Sequence, residues 1–354
     1  MSAISKLRDA VKARGIDAAV IFDELNIRYL SGFSFSDGCL FITNDSAYLI
    51  TDFRYFEMAE KKANNEFKVI APDSQSDFVK AKIQEYACKT IGFEGKSVSY
   101  ASYRRYNELF APAELVCISE IIEEIRQIKS PEEIELIRRA QRITDSAFSH
   151  VLSVITPNMT ELDVATELEY AMRKNGADGF AFETIAVSGD ASALPHGKPR
   201  AEKLHRGFLT MDFGAKFDGY CSDMTRTIVI GRADDEMKKL YNTVLFAQSR
   251  ALEFLCEGAD LGETDRIARD IINSDYANCF GHSLGHSVGL YIHETPGLSK
   301  RYLGKKARIG EIFTVEPGIY LYGKYGCRIE DMVAIEQNGV RNFTTSSKEL
   351  FEIY

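Results

Sequence analysis

Two acidic residues stand inside each of two β-type stretches far apart in the chain, and no other feature constrains the fold as much. In GFLTMDFGAKFDGYCSDMTRTIVIG, residues 207–231, Asp212 and Asp223 interrupt runs of strand-forming residues. Glu316 and Glu330 do the same in EIFTVEPGIYLYGKYGCRIEDMVAIE, residues 311–336. Aspartate and glutamate are poor strand formers, and a charge turned toward a packed interior is costly unless paired. A chain that keeps four such residues needs a fold that brings them to a counter-charge.

The elements around them repeat. Ser130, Pro131 and Glu133 form a capping-box start ahead of Ile134, Ile137 and Ala140, and Pro157 stops that helix. A second helix runs from Thr160 to about Lys174, closed by Asn175 and Gly176. After a short β run at 184–189 comes the first acidic stretch. Helices over roughly 235–257 and 263–273 then precede the second. Helix, helix, strand pair thus occurs twice at an offset of about 105 residues, a repeat of pattern rather than of letters.

Period-2 geometry places the carboxylates. A two-residue turn at Asp218-Gly219 sets Asp212 across from Thr225 and Asp223 across from Gly214, so both carboxylates share a face as diagonal neighbours. Glu316 and Glu330 share a face only if the loop between their strands holds an odd number of residues, which the sequence leaves open. Two carboxylates this close repel, and one stays protonated unless a cation sits between them. Taken singly, each has a bland reading: a solvated edge aspartate beside a turn, or a glutamate ending a strand before Pro317-Gly318. The joint pattern is what points to a metal ion, with a pseudo-twofold arrangement bringing all four to one centre.

Three of the six histidines fall in GHSLGHSVGLYIHETP, residues 281–296. His282 and His286 have the spacing of two ligands on one helix face. Gly281, Gly285 and Gly289 oppose a helix, at about 1 kcal/mol each, so an extended or turning backbone is expected. Spacing alone does not choose between the two histidines.

Residues 1–125 alternate β-type runs (18–22, 39–43, 47–51, 67–71) with helical stretches such as 76–88, which reads as an α/β domain ahead of a second domain at 126–354. The chain opens on a short amphipathic helix with Ile4, Leu7 and Val11 on one face, not on a secretory signal. No apolar run approaches the ~20 residues of a membrane span. The formal net charge of −9, without a basic patch, argues against nucleic acid or anionic membrane as partner. Seven scattered cysteines with no C-x-x-C pair suggest neither a disulfide framework nor a cysteine zinc site. A reducing cytoplasm and a small-molecule or peptide partner are expected.

The order of Asp212, Asp223, GHSLGH, VEPG and RIED closely resembles the pita-bread metallopeptidases, the family of methionine aminopeptidase, aminopeptidase P and prolidase. The resemblance covers about 125–354, and the N-terminal domain looks like that of the prolidase, aminopeptidase P and creatinase branch. The implied class is α/β (α+β), a creatinase/prolidase-type domain followed by a pita-bread domain with an internal pseudo-twofold repeat. Carried over residue by residue, the resemblance makes Asp212, Asp223, His286, Glu316 and Glu330 ligands of two divalent metals, with Asp223 and Glu330 bridging. His282 then falls outside the ligand set. His196 in SALPHG and His293 match the family's non-ligand catalytic histidines, and Arg328 matches an arginine beside the bridging glutamate. Thr225, opposite Asp212, joins His282 and Arg328 as support. His150 and His205 match nothing and are expected at the surface.

Four carboxylates and one imidazole suit hard divalent ions, Mn²⁺ first, with Co²⁺, Fe²⁺ or Zn²⁺ also fitting. The resemblance implies hydrolysis of the bond between an N-terminal residue and proline by a water shared between two metals. Glu316 would carry the proton to the leaving nitrogen, while His196 and His293 hold the substrate carbonyl and its developing charge. A dipeptidase should recognise a free proline carboxylate, for which arginine is the natural partner. Prolidases often place one four residues after the His293 equivalent, as in HEWPR, where this chain has HETPG with Gly297. That favours an Xaa-Pro aminopeptidase acting on longer peptides, with Xaa-Pro dipeptidase as the alternative; Arg54 and Arg28 are further cations that could reach a site. A non-catalytic peptide-binding module of the same fold and a creatinase-like hydrolase are disfavoured by the intact ligand set. The family also implies a homodimer.

Overall fold

The computed structural model describes residues 2–354. The chain divides into two compact units, Met1–Arg126 and Gln127–Tyr354. In the first unit, six strands form one mixed sheet in the order 68–70, 47–50, 39–43, 18–21, 90–93, 114–117. Strand Ala18–Ile21 at its centre is buried along its whole length, antiparallel to Cys39–Thr43 and parallel to Thr90–Phe93. Such a strand is covered on both faces and reads as a continuous apolar run rather than an alternating one. Helix Ala3–Ala13 supplies part of one cover through Ile4, Leu7 and Val11, which are buried against Leu40, Ile42 and Leu49.

In the second unit the helix pairs stand where the periodicity placed them. Helix Pro131–Val154 starts at a capping box on Ser130 and Glu133, and helix Glu161–Lys174 at one on Thr160 and Asp163. Helices Asp235–Phe254 and Leu261–Asp275 begin on the Asp234 and Asp260 side chains. The first pair packs on the sheet containing 185–188, 207–213 and 224–230, the second on the sheet containing 285–287, 312–315 and 331–336.

Alternation along the strands decides which side chains escape the helices. In 207–213, Leu209, Met211 and Phe213 join the core beneath the first helix pair, so Thr210 and Asp212 point to the opposite face. In the partner strand Met224, Ile228 and Ile230 enter the same core, leaving Thr225 and Thr227 opposite. The second half repeats this: Phe313, Val315, Ile319, Cys327, Ile329, Val333 and Ile335 pack on the second helix pair. Thr314, Glu316, Tyr320, Arg328 and Glu330 are thereby turned the other way.

The first hairpin keeps its expected register throughout. Thr225 pairs with Asp212, and Phe217 with Tyr220 across a turn in which Asp218 and Gly219 both have positive φ, 45° and 77°. In the second stretch Val315 pairs with Asp331 and Gly318 with Arg328, in one continuous register around the Tyr322-Gly323-Lys324 loop. The loop has odd length, so the condition for a shared face is met and Glu316 lies opposite Glu330. Hydrogen bonds between the two halves join them back to back: Glu330 N donates to Thr225 O at 3.1 Å and Thr227 Oγ1 to Arg328 O at 2.9 Å.

Candidate metal centre

Asp212, Asp223, His286, Glu316 and Glu330 converge on one cleft of about 1080 Å³, wholly within the second unit. His286 Nε2 lies 3.5 Å from Asp223 Oδ2 and 3.4 Å from Glu316 Oε1. Asp223, His286 and Glu330 each offer an atom within 4.8 Å of the others, a spacing one cation can span. His286 Nδ1 sits 3.2 Å from the Ser287 carbonyl. That contact places the ring proton on Nδ1 and leaves the Nε2 lone pair facing the carboxylates, the tautomer a metal ligand needs.

The segment 281–289 is held from two sides. Helix Leu261–Asp275 carries Asp265 and Arg269. Asp265 accepts the Leu284 N–H at 3.0 Å, and Arg269 donates to His282 O at 2.8 Å. On the other side Thr314 Oγ1 accepts the His286 N–H at 3.0 Å and donates to Glu316 Oε1 at 3.0 Å, so one hydroxyl sets both side chains. A Cβ on Gly285 would come within 1.9 Å of Thr314 O, which makes glycine obligatory at this approach. The backbone is extended at 285–287, with a register shift between His286 and Ser287. Such a bulge re-aims a side chain, so the H-x-x-x-H spacing is not that of a helix.

His282 is directed elsewhere. Its Nδ1 faces Ser283 O at 2.9 Å and its Nε2 takes the Tyr320 hydroxyl at 3.0 Å. Tyr320 in turn accepts from Arg328 Nη1 at 2.7 Å. Buried Arg328 also donates to Asp212 Oδ2 at 2.6 Å, to Thr225 Oγ1 at 2.9 Å and to Pro195 O at 3.4 Å. The Thr225 hydroxyl donates in turn to Glu330 Oε2 at 2.7 Å. Thus Arg328 and Thr225, both expected as support, each touch two of the acidic groups or their partners. His293 lies beside His286 with ring centroids 4.4 Å apart, and both His293 and His196 line the cleft as exposed residues. His150 contacts Glu167 at 2.6 Å and His205 faces Glu202 at 3.5 Å, both away from this cleft.

Tyr320 and Thr314 were missed by the sequence reading. Both share parity with Glu316, so the alternation that turns the glutamate away from the helices turns them the same way, where they hydrogen-bond Glu316, Arg328 and His282.

Four carboxylates meet one guanidinium here, and the electrostatics show the imbalance. Burial, then Glu330, Asp212 and Glu316, push the Asp223 carboxyl well above the usual range. Burial, then Glu316 and Asp212, do the same to Glu330. Glu316 is pushed up to about 8, chiefly by burial, with Arg328 opposing. Burial and neighbouring His293 hold His286 down to about 4, so its ring is neutral. Asp212 Oδ1 and Glu330 Oε1 are buried without a hydrogen-bond partner among the described residues, although each carboxylate's other oxygen is bonded. Unspent buried oxygens on two residues lining one cleft, together with mutual repulsion, are the demand a divalent cation answers, so the residues fit such an ion.

The pattern of metallopeptidase family M24 matches residues 135–337, and that of the creatinase/prolidase N-terminal domain matches residues 4–128. The chain belongs to metallopeptidase family M24, whose members work with divalent metals. It is 37% identical to the Xaa-Pro dipeptidase of Pyrococcus furiosus over 98% of this chain and 99% of that one. Among solved structures, the Xaa-Pro dipeptidase from Bacillus anthracis is 40% identical, covers 99% of both chains and superposes with a TM-score of 0.95. The X-Pro aminopeptidase from Thermotoga maritima is 38% identical, over 96% of this chain and 98% of that one, with a TM-score of 0.90. The mixed α/β architecture expected from the sequence is therefore that of this family. No helix among the described residues is long and apolar enough to cross a membrane.

Proposed function

We propose that the chain hydrolyses the peptide bond between an N-terminal residue and a following proline. Asp212, Asp223, His286, Glu316 and Glu330 would hold two divalent ions, with Asp223 and Glu330 shared. The observation that carries this reading is the convergence of four carboxylates and the His286 Nε2 lone pair on one cleft, with two buried oxygens left over. The oxygen-rich donor set favours Mn²⁺, with Co²⁺, Fe²⁺ and Zn²⁺ able to use the same ligands. Ions bound there supply a water of lowered pKa and a positive charge for the scissile carbonyl.

The chain's own residues do the rest. Glu316, oriented by Thr314, takes a proton from the attacking water and delivers it to the leaving nitrogen. As in any amide hydrolysis, the leaving nitrogen departs only when protonated, and the proton delivered becomes the hydrogen that proline's nitrogen lacks in the peptide bond. His293, beside His286, and His196, which lines the same cleft, donate to the substrate carbonyl as its charge develops. Arg328 and Thr225 hold Asp212 and Glu330 in place.

Relatives named Xaa-Pro dipeptidase support a dipeptide substrate. Gly297 offers no arginine to a free carboxylate, but Arg301 lines the same cleft. Its guanidinium lies 5.8 Å from the Tyr302 ring centroid, and no described carboxylate pairs with it. Lys198 faces Glu183 at 3.4 Å, and Arg328 is spent on Asp212. Arg301 is thus the cleft cation available to a dipeptide's carboxylate. The longer-peptide reading stands beside this one on two observations: Gly297 itself, and the X-Pro aminopeptidase relative. We also extend the proposal to a homodimer in a reducing cytoplasm, the compartment that suits seven free cysteines.

The test is amino-acid release from Ala-Pro and Ala-Pro-Ala by metal-stripped protein reloaded with Mn²⁺ or Co²⁺. Release from neither would end the proposal. Preference for Ala-Pro that disappears in Arg301→Met assigns the dipeptide, and preference for Ala-Pro-Ala assigns the longer substrate.

A further inference from the structure

Behind the second acidic hairpin, on the face away from the cleft, one buried side chain touches the backbone beside two carboxylates at once. Gln248 lies on helix Asp235–Phe254 and is fully buried. Its Nε2 donates to Val315 O at 3.1 Å and to Ile329 O at 3.3 Å. These are the residues immediately before Glu316 and Glu330. Its Oε1 accepts from Lys348 Nζ at 3.0 Å, and Lys348 also pairs with Asp331 Oδ2 at 2.7 Å. Asp331 Oδ1 takes Arg226 Nη2 at 2.8 Å. Arg226 Nη1 closes the circuit by donating to Thr225 O at 3.0 Å and Glu330 O at 2.5 Å. None of Gln248, Lys348, Asp331 or Arg226 lines the cleft.

A primary amide is the side chain this position requires. It alone offers two hydrogens on one nitrogen for two carbonyls, and an oxygen for an ammonium. Glutamate would set acceptors against acceptors, and leucine would remove both donations, where a buried carbonyl left unsatisfied costs about 1–3 kcal/mol. The other half of the unit supplies the contrast. Gln141 stands on the corresponding helix Pro131–Val154, with the offset in number that relates Asp223 to Glu330, and is equally buried. Neither atom of its amide has a hydrogen-bond partner among the described residues. A buried glutamine at the corresponding place in the first half is therefore compatible with the fold without any hydrogen bond to the acidic strands, and the Gln248 hydrogen bonds belong to the second half.

We propose that Gln248 is a positioning residue for the metal centre, fixing the separation of the two strands that carry Glu316 and Glu330 and tying them to Lys348. This rests on the reading of those glutamates as metal ligands. Groups that orient ligands from outside the ligand set typically contribute 10–100-fold in metal affinity, and geometry must hold within about 0.5 Å. The expected deficit is accordingly in metal affinity and turnover, with little change in KM.

Calorimetric titration of Mn²⁺ into the metal-stripped full chain tests this, with Gln248→Leu, Gln248→Glu, Gln141→Leu and Glu330→Gln beside the wild type. Both Gln248 variants should bind Mn²⁺ about 10–100-fold more weakly, while Gln141→Leu binds as the wild type. At saturating Mn²⁺, Gln248→Glu should show reduced kcat with unchanged KM. Gln248→Glu keeps an ion pair to Lys348, so it supplies the answer if the leucine variant does not fold. Wild-type Mn²⁺ affinity in either folded Gln248 variant, with metal lost in Glu330→Gln, overturns the proposal. So does equal weakening in Gln141→Leu, which would reduce the effect to helix packing. Wild-type metal binding by Glu330→Gln would instead overturn the ligand reading beneath it.

Discussion

Glu94 in the N-terminal unit and Glu330 in the second are both almost completely buried, and the two are served in opposite ways. Glu94, in the N-terminal unit, is 2% exposed and receives three hydrogen bonds from its own surroundings. Phe22 N and Asp23 N donate to Oε2 at 2.6 and 2.9 Å, and Asn26 Nδ2 to Oε1 at 2.7 Å. Glu330 is 1% exposed, takes one hydroxyl on Oε2, and leaves Oε1 with no hydrogen-bond partner among the described residues. Glu94 sits where helix Glu24–Ser31 begins and helps hold that turn. Glu330 sits among three other carboxylates. Burial alone does not distinguish a structural carboxylate from a functional one; the unspent oxygen and the like-charged company do.

Glu330→Gln is the sharpest way to break this contrast. It should abolish tight Mn²⁺ binding and lower kcat/KM by on the order of 10³-fold or more, whereas Glu94→Gln leaves both unchanged. Metal analysis after gel filtration and initial rates on Ala-Pro report the two effects together. Retained metal in Glu330→Gln would put it in the same class as Glu94.

The imidazoles extend the comparison. His282 has both ring nitrogens engaged, and His286 has one committed to Ser287 and one facing carboxylates. No ring hydrogen bond is formed by His293 among the described residues, although it lines the cleft beside His286. A ring with free nitrogens at the cleft is available to substrate. His293→Ala should keep full metal content and lose about 10²–10³ in kcat. Unchanged kcat would remove its role, and lost metal would make it a ligand.

Much of this was legible from the letters because strands alternate and two-residue turns fix register. The Asp218-Gly219 turn was enough to put Asp212 opposite Thr225, and capping residues located the helices. The Glu316–Glu330 pairing was not legible, because the three-residue loop at 322–324 carries no signal that sets its parity. The choice between His282 and His286 was likewise closed to spacing. It depends on the bulge after His286 and on Thr314, a contact between segments 28 residues apart. Gln248 was invisible for a further reason: nothing in a helix sequence tells whether a buried amide will meet carbonyls, as Gln248 does, or nothing, as Gln141 does.

The smallest expected effect is also the one that most refines the comparison. Burial raises the Glu94 carboxyl from an ordinary 4.5 to about 7, against the lowering effect of its three donors. A folded value above the unfolded one means a stabilising contribution that is complete below about pH 4.5. It is lost progressively as pH rises through 7. The ionised side chain at pH 8 then costs up to about 3 kcal/mol relative to its protonated form. Glutamine at this position cannot ionise, so the stability difference between Glu94→Gln and wild type should shift in the variant's favour between pH 5 and pH 8. Taking that difference by urea unfolding at each pH cancels the cleft carboxylates, whose raised values act with the same sign in both proteins. If the difference stays constant across the range, Glu94 is ionised throughout and its three donors outweigh burial. The distinction from Glu330 would then lie in hydrogen bonding alone, not in charge state.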